Sequence, residues 1–355
     1  MSTISLCMIV KNEEAVLARC LDSIADLMDE IIIVDTGSTD RTREIAANYT
    51  DKIYDFKWTN DFSAARNFSF SKATKEYIYA ADADEVLDDT NRERFLRLKQ
   101  NMLPEIEIVQ MKYVTRSDFD TVLNAKKEYR PKLFKRLRTF TWIDPIHETV
   151  RLNPVVFDSD VEISHMPQSL HSKRDFSIFI KTFERDGAFS DKIRSMYAKE
   201  LLKTGETKDF LAAKPIFEVI WRNDTSDDAR KEAACVLAHT YRLEDDKNNF
   251  FKMTLMDMLT TPCSEICYEL GTYFLGQNDY DEAVLWYYNA AYEAKSILDI
   301  HTSGDLPLLG LVECYERLLE QCKANPDSNT ALEIQYEMCL DRYREASMEW
   351  TMPEE

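Results

Sequence analysis

Four apolar runs near the N-terminus constrain the fold more than any other feature of the sequence. Each is of strand length, and each gives way to a polar loop. They are Ile4–Val10 (ISLCMIV), Glu30–Val34 (EIIIV), Lys52–Phe56 and the run YIYAA that begins at Tyr77. Between them, apolar residues at helical spacing (Val16, Leu17, Cys20, Leu21, Ile24) predict a helix over residues 15–24. Further helices are predicted over residues 41–48, capped by Asp40, and over residues 63–72. A strand that is apolar throughout must be covered on both faces. Its alternation with helices therefore predicts an α/β unit with a mostly parallel central sheet.

The fourth run ends in Asp82-Ala83-Asp84-Glu85. Carboxylates packed together repel one another unless a cation sits between them. In an extended chain, alternation would point Asp82 and Asp84 to one side and Ala83 to the other. The pattern predicts a hard-cation site at the C-terminal edge of the sheet, where α/β folds place their ligands. Glu13 and Glu14 follow the first strand and Asp35 the second, so these acids are predicted to open on the same edge. A nucleotide lying across that edge would have its base near Glu13 and Asp35, its ribose near Asp82 and its diphosphate on a cation at Asp84. No GxGxxG or GxxxxGK[ST] loop is present, so metal and basic side chains would have to neutralise the diphosphate.

After Asp89 the pattern changes. A helix is predicted over residues 92–101, then half-exposed antiparallel strands over 105–115 and 130–136. Short strands or loops are predicted at 142–150 and 161–166. From Arg174 onward the sequence is helical in character, with unevenly spaced helix–turn–helix copies beginning at Arg194, Lys231, Ser264 and Leu306. The clearest copy, EICYELGTYFLGQNDYDEAVLWYYNAAYEAK, has Leu270-Gly271, Tyr273, Ala283, Tyr287 and Ala290 where a tetratricopeptide repeat (TPR) has its packing residues. Two domains are expected: a catalytic α/β domain over residues 1–172 and an all-α TPR-like domain over residues 173–355. The helical part either presents a binding surface or serves only as a stabilising cap.

A net charge of −20 argues against a nucleic acid or an anionic membrane as partner. A basic island, KKEYRPKLFKRLR, lies at residues 126–138. Within it Arg130, Lys132, Lys135 and Arg136 are candidates for stabilising an anion. The eight cysteines are scattered; Cys263 and Cys267 have no second pair after them, so no zinc site is predicted. The sequence shows neither a signal peptide nor a membrane-length apolar run, and a cytoplasmic location is expected.

The segments ISLCMIVKNEEAVLARCLDSI, DEIIIVDTGSTDRTREIA and KWTNDFSAARNFSFSKATKEYIYAADADE resemble the family 2 glycosyltransferases. The likeness is dense over the first 90 or so residues and continues through RPKLFKR and WIDPIHETV to His165. It implies the GT-A nucleotide-diphospho-sugar transferase fold and a Mg2+ or Mn2+ cofactor. DFSAARN, the IHE element and the TPR-like tail look most like the branch containing the peptide S-/O-glycosyltransferases of glycocin biosynthesis. Lipopolysaccharide-core enzymes share the N-terminal motifs. Where many members have Pro and Tyr before Asn-Glu, this chain has Val10-Lys11.

The resemblance implies that Asp84 holds the metal and that Asp82 contacts ribose or metal-bound water, in a DxD motif with Ala83. It places Lys11, Asn12, Glu13, Asp35, Ser38, Arg66 and Asn67 around the donor; from the basic island, Arg130 and Arg136 are donor candidates beside the diphosphate. His165 is a candidate late metal ligand, and Glu85 supports the site without touching metal. Inverting transfer needs a base for the acceptor proton; Asp144 or Glu148 is the candidate, with His147 binding donor or metal. The expected function is inverting transfer from a nucleotide-diphospho-sugar, a UDP-sugar foremost, to a peptide or protein side chain recognised through the helical domain. Alternatives are a surface polysaccharide or lipid-linked acceptor and, from a different class, a TPR binding module with a degenerate transferase domain. A homodimer is compatible with the sequence.

Overall fold

The computed structural model describes residues 1–115, 128–138, 140–146, 149–150, 154–166, 172–258, 261–324 and 330–352. The chain divides into two units, Met1–Arg185 and Asp186–Glu355. The expected boundary, between 172 and 173, falls at the first turn of a helix that the structure keeps with the first unit.

In the first unit the apolar runs become β1 (Ile4–Val10), β2 (Glu30–Asp35), β3 (Ile53–Asp55) and β4 (Tyr77–Ala81). Between them lie α1 (Leu17–Ile24), α2 (Thr42–Ala46) and α3 (Phe62–Lys72). Asp40 accepts hydrogen bonds from the Thr42 backbone and hydroxyl, although Arg41 occupies the N-cap. The helix α3 is capped by Asp61, whose carboxylate accepts from Ala64 N. Then come β5 (Glu85–Val86), α4 (Asp89–Asn101), β6 (Ile108–Thr115) and β7 (Glu128–Lys135). The unit closes with a hairpin of β8 (Trp142–Ile143) and β9 (Thr149–Val150), then β10 (Val156–His165) and α5 (Ser172–Asp186).

Eight of these strands form one sheet in the order β3-β2-β1-β4-β7-β6-β10-β5. Strands β3, β2, β1 and β4 are mutually parallel, β10 runs parallel to β6, and β7 and β5 run antiparallel to their neighbours. The pleat sorts β1 by parity. Ile4, Leu6, Met8 and Val10 join one core layer with Leu17, Leu21 and Phe95, while Cys7 joins the other with Phe70, Phe134 and Trp142. Helices α1 and α4 thus cover one face and α3 with the hairpin the other, as the two-sided apolar strands require. Each fully buried Leu, Ile or Phe contributes about 1.5–3 kcal/mol. The parallel register sets Val10 opposite Asp35 and Met8 opposite Ala81, so the loops after β1, β2 and β4 share one edge.

The second unit is helical: α6 (Asp191–Thr204), α7 (Thr207–Asn223), α8 (Asp227–Leu243), α9 (Lys247–Met258), α10 (Ser264–Gly276), α11 (Tyr280–Tyr288), α12 (Asp305–Ala324) and α13 (Thr330–Glu349). Helices α8 and α9, α10 and α11, and α12 and α13 pack in pairs as the repeat pattern predicts, whereas α6 packs on α8. The period is broken between α11 and α12, where a π-turn at Asn289–Glu293 is followed by a bridge between Cys263 and Lys295 and a 3-10 turn at Ile300–Ser303. No helix among the described residues is long and apolar enough to cross a membrane.

Candidate active site

The loops after β1 and β2 are tied together before any ligand is considered. Asn12, held at φ +57°, donates its N–H to Ser38 Oγ (2.9 Å), and its Oδ1 accepts from Thr39 N (2.8 Å). Ser38 in turn gives both its N–H and its hydroxyl to Asp35 Oδ1 (3.0 and 2.6 Å). The other oxygen of the buried Asp35 pairs with Arg43 at 3.1 Å. Glu13 N donates to Thr42 Oγ1 (2.7 Å), and Lys11 is exposed at the end of β1. Asn12, Glu13, Asp35 and Ser38 therefore share one edge.

Beyond β4 the chain departs from the alternation argument. Asp82-Ala83-Asp84 is a turn and not extended strand: Glu85 N closes on Asp82 O at 3.2 Å, and the chain reverses into β5 against β10. Ala83 turns its methyl into the core. Two further bonds hold the turn. The Cys20 thiol donates to Asp82 O (3.4 Å), and Met166 N donates to Asp84 O (3.0 Å). The pairing of His165 with Glu85 in the β5–β10 register brings the imidazole back over the turn. Its Nε2 lies 3.1 Å from Asp84 Oδ2, and its ring packs against Tyr113 with centroids 5.0 Å apart. Nδ1 of His165 has no hydrogen-bond partner among the described residues.

Asp82 points elsewhere. Its carboxylate lies 3.6 Å from Arg66 Nη2 and 3.8 Å from Lys132 Nζ. Burial opposes its ionisation, but the charges of Lys132, Arg66, His165 and Arg130 outweigh that and hold it well below the usual carboxylate range. Arg66 also stacks over Trp142, 4.9 Å from the ring centroid, and Arg130 over Tyr113 at 3.9 Å. Lys132, read in the sequence as one of several anion-facing bases, is buried and forms an ion pair with the equally buried Glu85. Burial pushes Glu85 up to about 7, with the Lys132 charge working against the rise. Glu85 thus supports the turn from beneath. Nothing in the sequence near Lys132 signals this, because its partner lies 47 positions away.

Two residues expected around the donor make their hydrogen bonds elsewhere. Asn67 Nδ2 donates to Trp142 O (3.0 Å), and its Oδ1 accepts from Trp142 N (2.8 Å), so its side chain pins the hairpin to α3. Arg136 is carried to the opposite edge of the sheet because β7 runs antiparallel to β4. There its Nε donates to Lys75 O (2.6 Å). The basic island is therefore split: Arg130 and Lys132 reach the site and Arg136 does not. Asp144, at φ +73°, sits at the tip of the β8–β9 hairpin, where Thr149 Oγ1 donates to its Oδ2 (3.3 Å). The adjacent Pro145 O accepts from Phe62 N at the start of α3 (2.9 Å). The remaining candidates, His147 and Glu148, lie outside the described residues.

The described residues thus assemble an acid-lined edge on a mostly parallel sheet, with the Asp82–Asp84 turn facing His165. Residues 5–161 match the glycosyl transferase family 2 profile. Over those residues the first unit is similar to family 2 glycosyl transferases, and an all-α unit with TPR-like helix pairs follows it. Over 87 residues the chain is 49% identical to a TPR repeat-containing protein of Synechococcus elongatus, a match covering 24% of this chain and 22% of that protein. Over 98 residues it is 40% identical to the glycosyltransferase SunS of Bacillus phage SPbeta, covering 27% and 23%. It is 31% identical over 107 residues to the lipopolysaccharide core biosynthesis glycosyltransferase LpsC of Rhizobium meliloti, covering 29% and 36%. The matched stretches thus span little of those relatives' own length. Glucosyl-3-phosphoglycerate synthase from Mycobacterium tuberculosis, solved with Mn2+, UDP and glucosyl-3-phosphoglycerate, is 16% identical, covering 54% of this chain and 82% of that one at a TM-score of 0.39.

Proposed function

We propose that the chain is an inverting, metal-dependent glycosyltransferase that moves a sugar from a nucleotide-diphospho-sugar, a UDP-sugar foremost, to a peptide or protein side chain. The observation that carries this reading is the meeting of Asp84 and His165 at 3.1 Å, beside Asp82 and its cations. A carboxylate oxygen and an imidazole nitrogen whose ring is fixed by Tyr113 fit Mg2+ or Mn2+. Bound there by Asp84 and His165, with Asp82 nearby, the ion would supply Lewis-acid neutralisation of the diphosphate. Arg66 and Arg130 add fixed positive charge where negative charge grows on the leaving group. Asn12, Glu13, Asp35 and Ser38 form the neighbouring lip, suited to base and ribose. Asp144 is the described candidate for taking the acceptor proton, as the nucleophile attacks C1 from the face opposite the diphosphate. Glu148 and His147 complete the proposed set.

The peptide or protein acceptor rests on the resemblance carried by DFSAARN and the IHE element, together with a repeat unit of the kind that presents binding surfaces. The likeness to LpsC supports a second reading, transfer to a surface glycan. A cytoplasmic location belongs to the proposal, with free donor and free acceptor both reaching the chain. A screen of UDP- and GDP-sugars for Mn2+-dependent hydrolysis, followed by mass spectrometry of co-expressed proteins, tests it. Hydrolysis together with a sugar-mass adduct on a peptide supports the proposal. Transfer only to extracted glycolipid selects the second reading, and absence of donor binding in calorimetry sinks both.

A further inference from the structure

The second unit contains a cluster that the transfer chemistry does not use. Cys235, in α8, and Cys263, at the N-cap of α10, have their sulfurs 3.4 Å apart and form no disulfide. Glu265 joins them: both sulfurs and a carboxylate oxygen lie within 4.8 Å of one another, and the three residues are only 1–2% exposed. The carboxylate is firmly held. Its Oε1 accepts the backbone N–H groups of Ile297 (2.9 Å), Leu298 (2.7 Å) and Asp299 (3.0 Å). Its Oε2 is buried and has no hydrogen-bond partner among the described residues. A buried carboxylate oxygen with nothing to accept from is costly, and a bound ion is one of the few arrangements that satisfies it.

We propose that Cys235, Cys263 and Glu265 form a zinc site that staples successive repeats together. Two thiolates and one carboxylate select a borderline-soft cation over Mg2+ or Ca2+. Tetrahedral Zn2+ with sulfurs at about 2.3 Å sets them about 3.8 Å apart, so a shift of a few tenths of an ångström closes the site. Binding releases the two thiol protons to solvent, and water completes the coordination. Zinc here would join α8 of one repeat to α10 of the next. Through Glu265 Oε1 it would also anchor the segment at 297–299 that leads towards α12. That segment is where the repeat period breaks, and it is already docked by Ser264 N on Lys295 O (3.0 Å). Sequence spacing misses the pair because Cys263 meets a cysteine 28 positions earlier, not Cys267.

The test uses the full chain purified without chelator. Metal analysis should find about one more zinc per chain than in Cys235→Ser. Replacement with Co2+ should give a thiolate-to-cobalt charge-transfer band that Cys235→Ser loses, which separates this site from any cation at Asp84. Glu265→Gln keeps the Oε1 acceptor for the three N–H groups and should weaken zinc binding by about tenfold or more. Chelation should lower the melting temperature of the wild type but not that of Cys235→Ser. Equal zinc content in the two chains, no charge-transfer band, or a Cys235–Cys263 disulfide in the native protein would each overturn the proposal.

Discussion

Nε2 of His165 lies 3.1 Å from Oδ2 of Asp84, 81 positions earlier in the chain, because the two-residue strand β5 pairs antiparallel with the end of β10. A slip of one residue in that register would turn the imidazole to the other side of the sheet. If the pair holds the catalytic cation, Asp84→Ala and His165→Ala should each lower donor hydrolysis at least about 100-fold. Both should also abolish the Mn2+ binding seen by calorimetry. Unchanged turnover in Asp84→Ala at saturating Mn2+ would falsify the metal role.

Lys132 and Glu85 form a second relationship, one of stability. Removing one partner of a buried ion pair leaves the other charge without compensation. Lys132→Met should therefore cost about 3–5 kcal/mol in urea unfolding of the first unit. Pairing it with Glu85→Gln should recover part of that loss, because the stranded carboxylate is then gone. A double variant no more stable than Lys132→Met would show that the two side chains do not act as a pair.

Asn67 predicts differently from the donor-lining role suggested by its motif. With both ends of its amide on the Trp142 backbone, Asn67→Ala removes two hydrogen bonds. It should cost about 1–3 kcal/mol locally. Amide exchange at Ile143 and Thr149 should speed up more than exchange in β1 or β4. Equal exchange across the unit would mean that the hairpin is held by something else.

What could be read from the sequence follows from how local each signal is. Runs such as ISLCMIV and YIYAA declare buried strands by themselves, and DADE declares a charged edge by itself. The turn at Asp82–Asp84 was hidden because it depends on β5, two residues long and formed only when β10 arrives. Lys132 read as a solvated or anion-facing base because its burial depends on Glu85, and Arg136 read as a neighbour of Arg130 because spacing does not show which sheet edge each residue reaches. Cys235 and Cys263 meet only through the packing of α8 on α10. The elements were legible; the pairings between distant segments were not.

Glu269 supplies a pH dependence away from the proposed active site. It is buried in α10 with His239 Nδ1 at 2.7 Å and Arg242 Nε at 2.5 Å. Burial alone would raise it, but His239 and Arg242 bring it from its ordinary 4.5 down to about 2. A depressed folded-state value means that its contribution to stability is present above about pH 4.5 and is lost as the pH falls towards 2. The gap corresponds to a contribution on the order of 3 kcal/mol. Urea unfolding of the second unit should weaken over that window, and Glu269→Gln should flatten the decline. An unchanged acid slope in Glu269→Gln would assign the loss to other carboxylates.

The Tyr287 ring fills the space between Gly271 in α10 and Gly310 in α12, where an added Cβ would lie 2.6 Å from ring carbons in either case. Its hydroxyl donates to Thr272 Oγ1 (3.1 Å). Gly271→Ala gains about 1 kcal/mol of helix propensity, but overpacking against the ring costs about 1–3 kcal/mol. The variant should melt lower than the wild type, and adding Tyr287→Leu should reduce the penalty, a coupling expected only of residues in contact. Because the family 2 match, residues 5–161, lies entirely in the first unit, Gly271→Ala should leave the proposed Mn2+-dependent donor hydrolysis within about twofold of wild type, as a substitution remote from the proposed reacting groups. If the repeats recognise the acceptor, transfer to a peptide should fall in the same variant. Loss of hydrolysis and transfer together would show that the helical unit is needed for the transferase domain itself and is not a separate acceptor-binding surface.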